Sequence, residues 1–275
     1  MLLCPNAKVN LGLNIVSRRA DGYHNLETIF YPILLCDALE VEKDSTVEGI
    51  AFTADGDFRL DCEDADNLVC RVYRQMASKY PLSGVRVRLT KHIPFGAGLG
   101  GGSSDAAYIA VALDRLFGLH LSTEQLQQEV RTMGADCAFF VANSPAFATG
   151  IGDVLHPIPL SLSGHEFILV KPNDIAVNTR TAYQGIVPKA PAVSLQEAIM
   201  QPIDRWRDTV VNDFESSVFA AYPAIGEVKE TLYALGALYA SMSGSGASVF
   251  GVFKKGTLPT NLPFSNCFVF RTVLE

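Results

Sequence analysis

No stretch of this 275-residue chain approaches the roughly 20 consecutive apolar residues that a membrane span requires. Its first residues, Met-Leu-Leu-Cys-Pro-Asn-Ala-Lys, lack the basic start and apolar core of a signal peptide, so a cytoplasmic protein is expected. Basic runs are missing as well. Against 29 Asp and Glu stand 22 Lys and Arg, a balance that argues against general nucleic-acid binding, where many phosphates must be neutralised. A small anionic substrate needs only a local electropositive pocket and stays allowed. The six cysteines (Cys4, Cys36, Cys62, Cys70, Cys137, Cys267) show no metal-ligand spacing, and nothing beside Cys62 and Cys70 completes a zinc site. Most sit among apolar neighbours, as reduced core cysteines do. The five histidines form no cluster, and no internal repeat or low-complexity segment stands out. With 48% hydrophobic and 19% charged residues, the chain has the composition of a compact protein with one large core or two modest ones.

What is present is a glycine loop. Residues 94–105 read Pro94-Phe95-Gly96-Ala97-Gly98-Leu99-Gly100-Gly101-Gly102-Ser103-Ser104-Asp105. Five glycines in seven positions leave a backbone without Cβ atoms, free to turn its N–H groups toward one point. A helical run, Ala106 to Phe117, follows, so the loop delivers into a helix N-terminus, where unpaired N–H groups and the helix dipole favour an anion. Phosphate is the simplest ligand. A flexible turn with Ser103 or Ser104 as N-cap is the simpler alternative, but a turn needs one or two glycines. A Walker A loop is excluded, because no lysine lies between Lys91 and Lys171. Gly96-x-Gly98-x-x-Gly101 satisfies the dinucleotide pattern, yet such a loop follows a buried parallel strand. Here the preceding segment alternates, with Val85, Val87 and Leu89 opposite Arg86, Arg88 and Thr90. That pattern suits a strand with one wet face in an antiparallel sheet.

Elsewhere the periodicity is equally legible. Ala7, Val9, Leu11, Leu13 and Ile15 form one face of a strand, and Lys8, Asn10, Gly12 and Asn14 form the other, by default a wet one. Asp21-Gly22 marks a turn, after which residues 23–31 return as extended chain. Short strands are expected over residues 37–62, with a turn at Asp55-Gly56. Asp66-Asn67 opens a helix with an apolar stripe of Leu68, Val69, Val72, Tyr73 and Met76. The helix after the glycine loop is apolar on nearly every side and is expected to be buried, ending at Gly118. Ser122 to Gln125 fits a capping box. Asp136 stands at the entry of another apolar segment, where an N-cap is its plain role. A boundary near 155–165 is followed by a strand over 167–170, helical stretches and a second glycine-serine turn, Ser243-Gly244-Ser245-Gly246.

Pro-Asn-Ala-Lys-Val-Asn near the start, the glycine-serine loop, and Ser-Gly-Ser-Gly-Ala-Ser near the end resemble, in that order, the three signature motifs of the GHMP kinase superfamily. The resemblance covers almost the whole chain. Ala7-Lys8-Val9-Asn10-Leu11, Arg19-Ala20-Asp21-Gly22-Tyr23-His24 and Gly98 to Ala107 resemble in particular the 4-diphosphocytidyl-2-C-methyl-D-erythritol kinase family. The glycine loop alone does not separate one superfamily kinase from another; the Asp-Gly-Tyr-His element does. The resemblance implies an α+β, two-domain fold with the active site in the interdomain cleft, here divided as residues 1–158 and 159–275. It also implies transfer of the ATP γ-phosphoryl group to the 2-hydroxyl of a cytidine diphosphate-linked sugar alcohol, a step in non-mevalonate isoprenoid precursor synthesis. A homoserine- or mevalonate-type kinase is the neighbouring alternative, and a non-catalytic nucleotide-binding module the more distant one.

By resemblance, Asp136 is the catalytic aspartate that accepts the hydroxyl proton, and Lys8 is the catalytic lysine that stabilises charge on the attacking oxygen. Asn10, Tyr23, His24, Tyr183 and Gly244 fall at substrate-binding positions, with His24 reading the cytosine edge and Tyr23 and Tyr183 stacking near it. Without the resemblance, Asn10 is a plain surface polar residue, Tyr23 a half-buried sheet aromatic and Tyr183 a ring packed in the core. ATP is assigned to Pro94, Phe95, Gly96, Ala97, Gly98, Leu99, Gly100, Gly101, Gly102, Ser103 and Ser104, with Asn67 and Lys91 toward the adenosine end. For the last two the alternatives are an N-cap and a surface lysine. Mg²⁺ is expected between the phosphates, with Ser103 or Ser104 as a possible ligand and its site otherwise unassigned. Asp105 stands where some members carry Asn; pairing with the helix dipole and pairing with Mg²⁺ both stay open.

Overall fold

The structure, a computed structural model, describes residues 1–60 and 62–275. The chain folds as two compact units that exchange segments along the sequence. The first comprises Met1–Ala7, Leu35–Phe95 and Gly100–Ser144; the second comprises Lys8–Leu34, Gly96–Leu99 and Pro145–Glu275.

In the first unit a four-stranded sheet runs β1 (Leu2–Leu3), β4 (Ala38–Lys43), β6 (Val85–Lys91), β5 (Ile50–Gly56). Val85, Val87 and Leu89 are buried while Arg86 and Arg88 are exposed, so the alternation read in the sequence sets the two faces. The sheet is nonetheless mixed. β6 is antiparallel to β4 and parallel to β5. Asp55-Gly56 is not a turn: it ends β5, where Asp55 holds Arg88 at 2.7 Å and Gly56 pairs with Lys91. Gly56 has φ +113°, and a Cβ there would lie 2.4 Å from the Lys91 carbonyl oxygen. Only glycine fits so close a backbone.

Four helices cover the apolar face: α1 (Leu68–Ala77), α2 (Gly101–Phe117), α3 (Thr123–Arg131) and α4 (Cys137–Ala142). The Asn67 side-chain oxygen caps α1 by accepting from Val69 N, and Ser122 with Gln125 completes the capping box of α3. Helix α2 begins five residues before the predicted start, because Gly100 takes the left-handed N-cap conformation and Ser103 and Ser104 already lie in the first turn. Gly118, also left-handed, ends it. Ala106, Ile109, Ala110 and Leu113 of α2 pack with Val69, Val72 and Met76 of α1 and Val85, Val87 and Leu89 of β6. Each fully buried Val, Leu or Ile contributes roughly 1.5–3 kcal/mol, so this layer is the main stabiliser of the unit.

The second unit holds two further sheets. One runs β2 (Asn6–Arg18), β3 (His24–Cys36), β7 (Ala146–Thr149), β8 (Val154–Pro157), and all but the first two residues of β2 and the last two of β3 belong to this unit. The other is wholly antiparallel: β10 (Tyr239–Met242), β11 (Val249–Phe253), β9 (Glu166–Pro172), β12 (Cys267–Val273). The second glycine-serine turn joins β10 to β11 as a hairpin. Helices α5 (Thr179–Gln184), α6 (Leu195–Ile199), α7 (Phe214–Ala221) and α8 (Pro223–Ala234) complete the unit. Its core joins Ile168, Val170, Val249 and Phe253 to Phe214, Val218, Ile225 and Leu232.

Two expectations need correction. The polar face of β2 is not wet: Lys8 is 3% exposed and Asn10 2%, because the Gly98 and Ser243 backbones and the side chains of Leu195 and Val210 cover it. Among the cysteines only Cys70 and Cys137 are buried; Cys4 and Cys62 are exposed, and all six are free thiols. No helix among the described residues is long and apolar enough to cross a membrane.

Glu129 on α3 gives this fold a testable charge. It is buried and accepts from Lys79 Nζ at 2.7 Å, Tyr80 Oη at 3.0 Å and Gln75 Nε2 at 3.2 Å. Burial alone would raise its carboxyl, but these hydrogen bonds outweigh it and hold the group below its ordinary 4.5. A depressed folded value adds stability above the unfolded value and loses it as pH falls through the folded one. Urea unfolding of Glu129→Gln should therefore show about 1 kcal/mol less stability at neutral pH, and a shallower decline below about pH 4.5, than the native chain.

Candidate active site

Within the second unit all three signature motifs meet. Lys8 Nζ donates to Asn10 Oδ1 at 2.7 Å and to the Gly98 carbonyl at 3.1 Å. Ser243 Oγ donates to the same Gly98 carbonyl at 2.8 Å and accepts from Asn10 N at 3.3 Å. Asn10 Nδ2 donates to Thr28 Oγ1, which donates to the Gly12 carbonyl. Asn212 Nδ2 donates to the carbonyls of Met242 and Gly244, both at 2.8 Å, and so holds the hairpin turn. The glycine loop is hemmed in by backbone: Gly98 has φ +71°, and a Cβ there would lie 2.0 Å from the Ser243 carbonyl oxygen. Lys8 N donates to Leu99 O, while Ala247 N and Ser248 N donate to Gly96 O and Ala97 O. The Lys8 ammonium also lies 5.0 Å from the centre of the Phe30 ring. Its burial is thus satisfied by oxygens and an aromatic face, with no need of a wet surface.

In the first unit the start of α2 lies beside the turn that carries Asp136. A Cβ on Gly134 would sit 3.5 Å from Ser103 Oγ and 3.4 Å from Cys137 Sγ. Asp136 precedes α4 without capping it by its side chain, so the plain N-cap role fails. The first-turn N–H groups of Gly101, Gly102 and Ser103 have no acceptor within the helix. Asn67 is occupied as the cap of α1 through its oxygen. Lys91 is no surface lysine: it is 1% exposed and bonded to both Asp37 and Asp105. Burial pulls its ammonium down, but Asp105 and Asp37 outweigh that and raise it. Burial likewise pushes the Asp105 carboxyl up to about 7, against the pull of Lys91. Asp105 therefore answers to a lysine.

The description "GHMP kinases N terminal domain" matches residues 67–149, and "GHMP kinases C terminal" matches residues 195–262. The chain is 47% identical to a 4-diphosphocytidyl-2-C-methyl-D-erythritol kinase of Bacteroides thetaiotaomicron, over 98% of this chain and 99% of that protein. It is 48% identical to one of Bacteroides fragilis over the full length of both. The chain belongs to the 4-diphosphocytidyl-2-C-methyl-D-erythritol kinases of the GHMP superfamily. A crystal structure of a 4-(cytidine 5'-diphospho)-2C-methyl-D-erythritol kinase superposes with TM-score 0.80 at 34% identity, covering 93% of this chain and 91% of the other. The two-domain α+β GHMP kinase fold expected from the motifs is the fold this kinase has.

The second unit of the kinase also gathers the aromatic residues singled out in the sequence. His24 and Tyr183 stack, ring centres 4.8 Å apart and planes 16° from parallel, and Tyr183 meets Phe214 edge-on. Tyr183 is thus only partly a core residue. Tyr23, 62% exposed, is no half-buried sheet aromatic, because it sits in the β2–β3 turn just before β3 begins. Sequence reasoning passed over Ser243, Thr28, Asn212 and Asp37. Ser243 stood within a quoted motif, where glycine drew attention away from the hydroxyl. Asp37 carried a signal of its own, a single carboxylate after the apolar run 33–36. Thr28 and Asn212 carried none, since only the fold brings them to β2 and the hairpin.

Gly98→Ala tests the backbone contact. The left-handed φ and the 2.0 Å approach leave no room for a Cβ, so the loop must move. The variant should lose at least about 2 kcal/mol in urea unfolding, or keep its stability with a displaced loop that no longer protects the Lys8 amide from hydrogen exchange.

Proposed function

We propose that this kinase transfers the γ-phosphoryl group of ATP to the 2-hydroxyl of 4-diphosphocytidyl-2-C-methyl-D-erythritol, with Asp136 and Lys8 as its catalytic residues. The observation that carries the reading is the start of α2, with free N–H groups, lying beside the turn that holds Asp136. One end attracts phosphate oxygens and the other supplies a carboxylate. The acceptor oxygen attacks the γ-phosphorus, the bond to the β-bridging oxygen breaks, and ADP leaves with the electron pair. The hydroxyl proton passes to Asp136. Lys8, whose ammonium is already held by Asn10 Oδ1 and the Gly98 carbonyl, lowers the cost of negative charge on the attacking oxygen. Alignment and charge stabilisation do most of the work in such a transfer.

The loop from Pro94 to Ser104 binds the ATP phosphates, with Asn67 and Lys91 toward the adenosine end. Asn10 and Gly244 line the acceptor site, and Tyr23, His24 and Tyr183 take its cytosine. Support for the last comes from the His24–Tyr183 stack, whose flat faces and polar ring nitrogens suit a pyrimidine. No cluster of three ligating side chains occurs among the described residues. Mg²⁺ is commonly held by one or two side chains plus phosphates and water, and a hydroxyl and a carboxylate suit it as oxygen donors. Ser103, in the first turn of α2, and Asp136, just before α4, are the residues that would hold it. When bound, the ion neutralises charge between the phosphates. The enzyme works in the cytoplasm on small molecules.

A coupled ADP-release assay with Mg-ATP and the cytidyl acceptor tests this reading. Asp136→Asn should lower kcat about 1,000-fold with the fold intact. Homoserine or mevalonate eliciting ADP where the cytidyl acceptor does not would overturn the substrate. Tyr183→Ala should raise KM for the acceptor about 5- to 100-fold, the equivalent of roughly 1–3 kcal/mol of stacking, and leave KM for ATP unchanged.

A further inference from the structure

The glycine loop leaves β6 at Lys91 and returns as α2 at Asp105, and these two residues, 14 positions apart, are joined by an ion pair of 2.7 Å. The neck of the loop is therefore closed by one ammonium. That ammonium is held from the other side by Asp37, on the segment just before β4. The Asp37 carboxylate uses its second oxygen to accept from His92 N at 2.6 Å and Ile93 N at 2.8 Å, the two amides that lead into the loop. Asp105 has no such bond to the backbone: its Oδ1 is buried with no hydrogen-bond partner, and its Oδ2 takes the Lys91 ammonium. Gly101 permits the closure, since a Cβ there would lie 2.9 Å from Ile93 Cγ2 and 3.5 Å from Lys91 Nζ. All three charged side chains are buried.

We propose that Asp37 and Asp105, acting through Lys91, are positioning residues that set the spacing between the two ends of the phosphate loop and so the direction of the N–H groups at the start of α2. The inference rests on the reading of residues 94–104 as the ATP phosphate site. A buried ion pair is weak evidence for stability in general, because desolvation offsets most of its attraction. Geometry is the better account of this one. Asp37 grips the incoming strand at three points, Lys91 hands that position on to Asp105, and Asp105 sits on the helix whose first turn faces the ligand. Neither carboxylate needs to touch ATP.

Asp105→Asn, Asp37→Asn and Lys91→Met, with the double variant Lys91→Met/Asp105→Asn, are compared with the native enzyme by steady-state kinetics and by calorimetric titration of ATP. A merely structural role lowers the folded fraction, and with it the apparent kcat, but leaves KM unmoved. A positioning role should raise KM and Kd for ATP about 10-fold or more in Asp105→Asn and Asp37→Asn, with KM for the cytidyl acceptor within twofold. The double variant should be no worse than Lys91→Met, because Asp105 acts only through the lysine. Additive losses, or an unchanged KM for ATP in folded Asp105→Asn, would overturn the proposal. Where a variant does not fold, hydrogen exchange of the native chain decides. The amides of His92 and Ile93 should exchange only as slowly as those of central β6, and exchange at the rate of an exposed loop would refute the clamp. A native chain that binds no ATP would instead defeat the phosphate-site reading on which the proposal stands.

Discussion

The second unit is organised by one close approach, that of the Gly98 backbone to the Ser243 backbone. At 2.0 Å from a would-be Cβ to a carbonyl oxygen, the contact admits no side chain, and two distant segments are locked together main chain to main chain. Much of the constellation around β2 follows. The Gly98 carbonyl is presented to both Lys8 Nζ and Ser243 Oγ, and the Ser243 hydroxyl in turn receives Asn10 N. Asn212 fixes the hairpin from behind by gripping the carbonyls on either side of Ser243. Removing one member of such a network leaves a buried partner unsatisfied, which costs more than the lost bond itself.

This dependence explains which parts of the site were legible in the sequence. A period of two placed Lys8 and Asn10 side by side on β2, and their glycine-rich partners were visible as motifs. The burial of that face was not legible. Periodicity reports which residues share a face, and only tertiary structure decides what covers it. The same limit applies to Lys91. Its alternation with Leu89 and Val87 was there to be read, and its inward position follows from that alternation. A lysine at the strand end invites a surface reading until Asp37 and Asp105 are seen around it. Caps and breaks were the most readable elements, because Asn67, Gly118 and Ser122 act through local backbone geometry. The start of α2 was misread for the opposite reason: glycine is a poor helix former, and here the first two helical residues are both glycine.

Those two glycines stand at the start of α2 for different reasons. Each lowers helix stability by about 1 kcal/mol relative to alanine. At Gly101 the reason is steric, since any side chain would press on Ile93 and approach the Lys91 ammonium. At Gly102 a Cβ would meet nothing closer than Leu68 at 3.9 Å, so packing does not require glycine there. Under the proposed phosphate reading, the missing side chain there keeps the backbone N–H open to an anion.

Two buried lysines, one in each unit, show how partners bear on what a hidden cation can do. In the second unit, the Lys8 ammonium bonds Asn10 Oδ1 and the Gly98 carbonyl and lies over the Phe30 ring. In the first, the Lys91 ammonium is met by two carboxylates, which cancel its charge and more. A cation that is neutralised by its neighbours is poorly suited to attract phosphate but well suited to hold two chain segments at a fixed distance, because its bonds are short, directional and costly to break. The partners around Lys91 therefore give it a geometric role that neither its burial, which Lys8 shares, nor its residue type reveals.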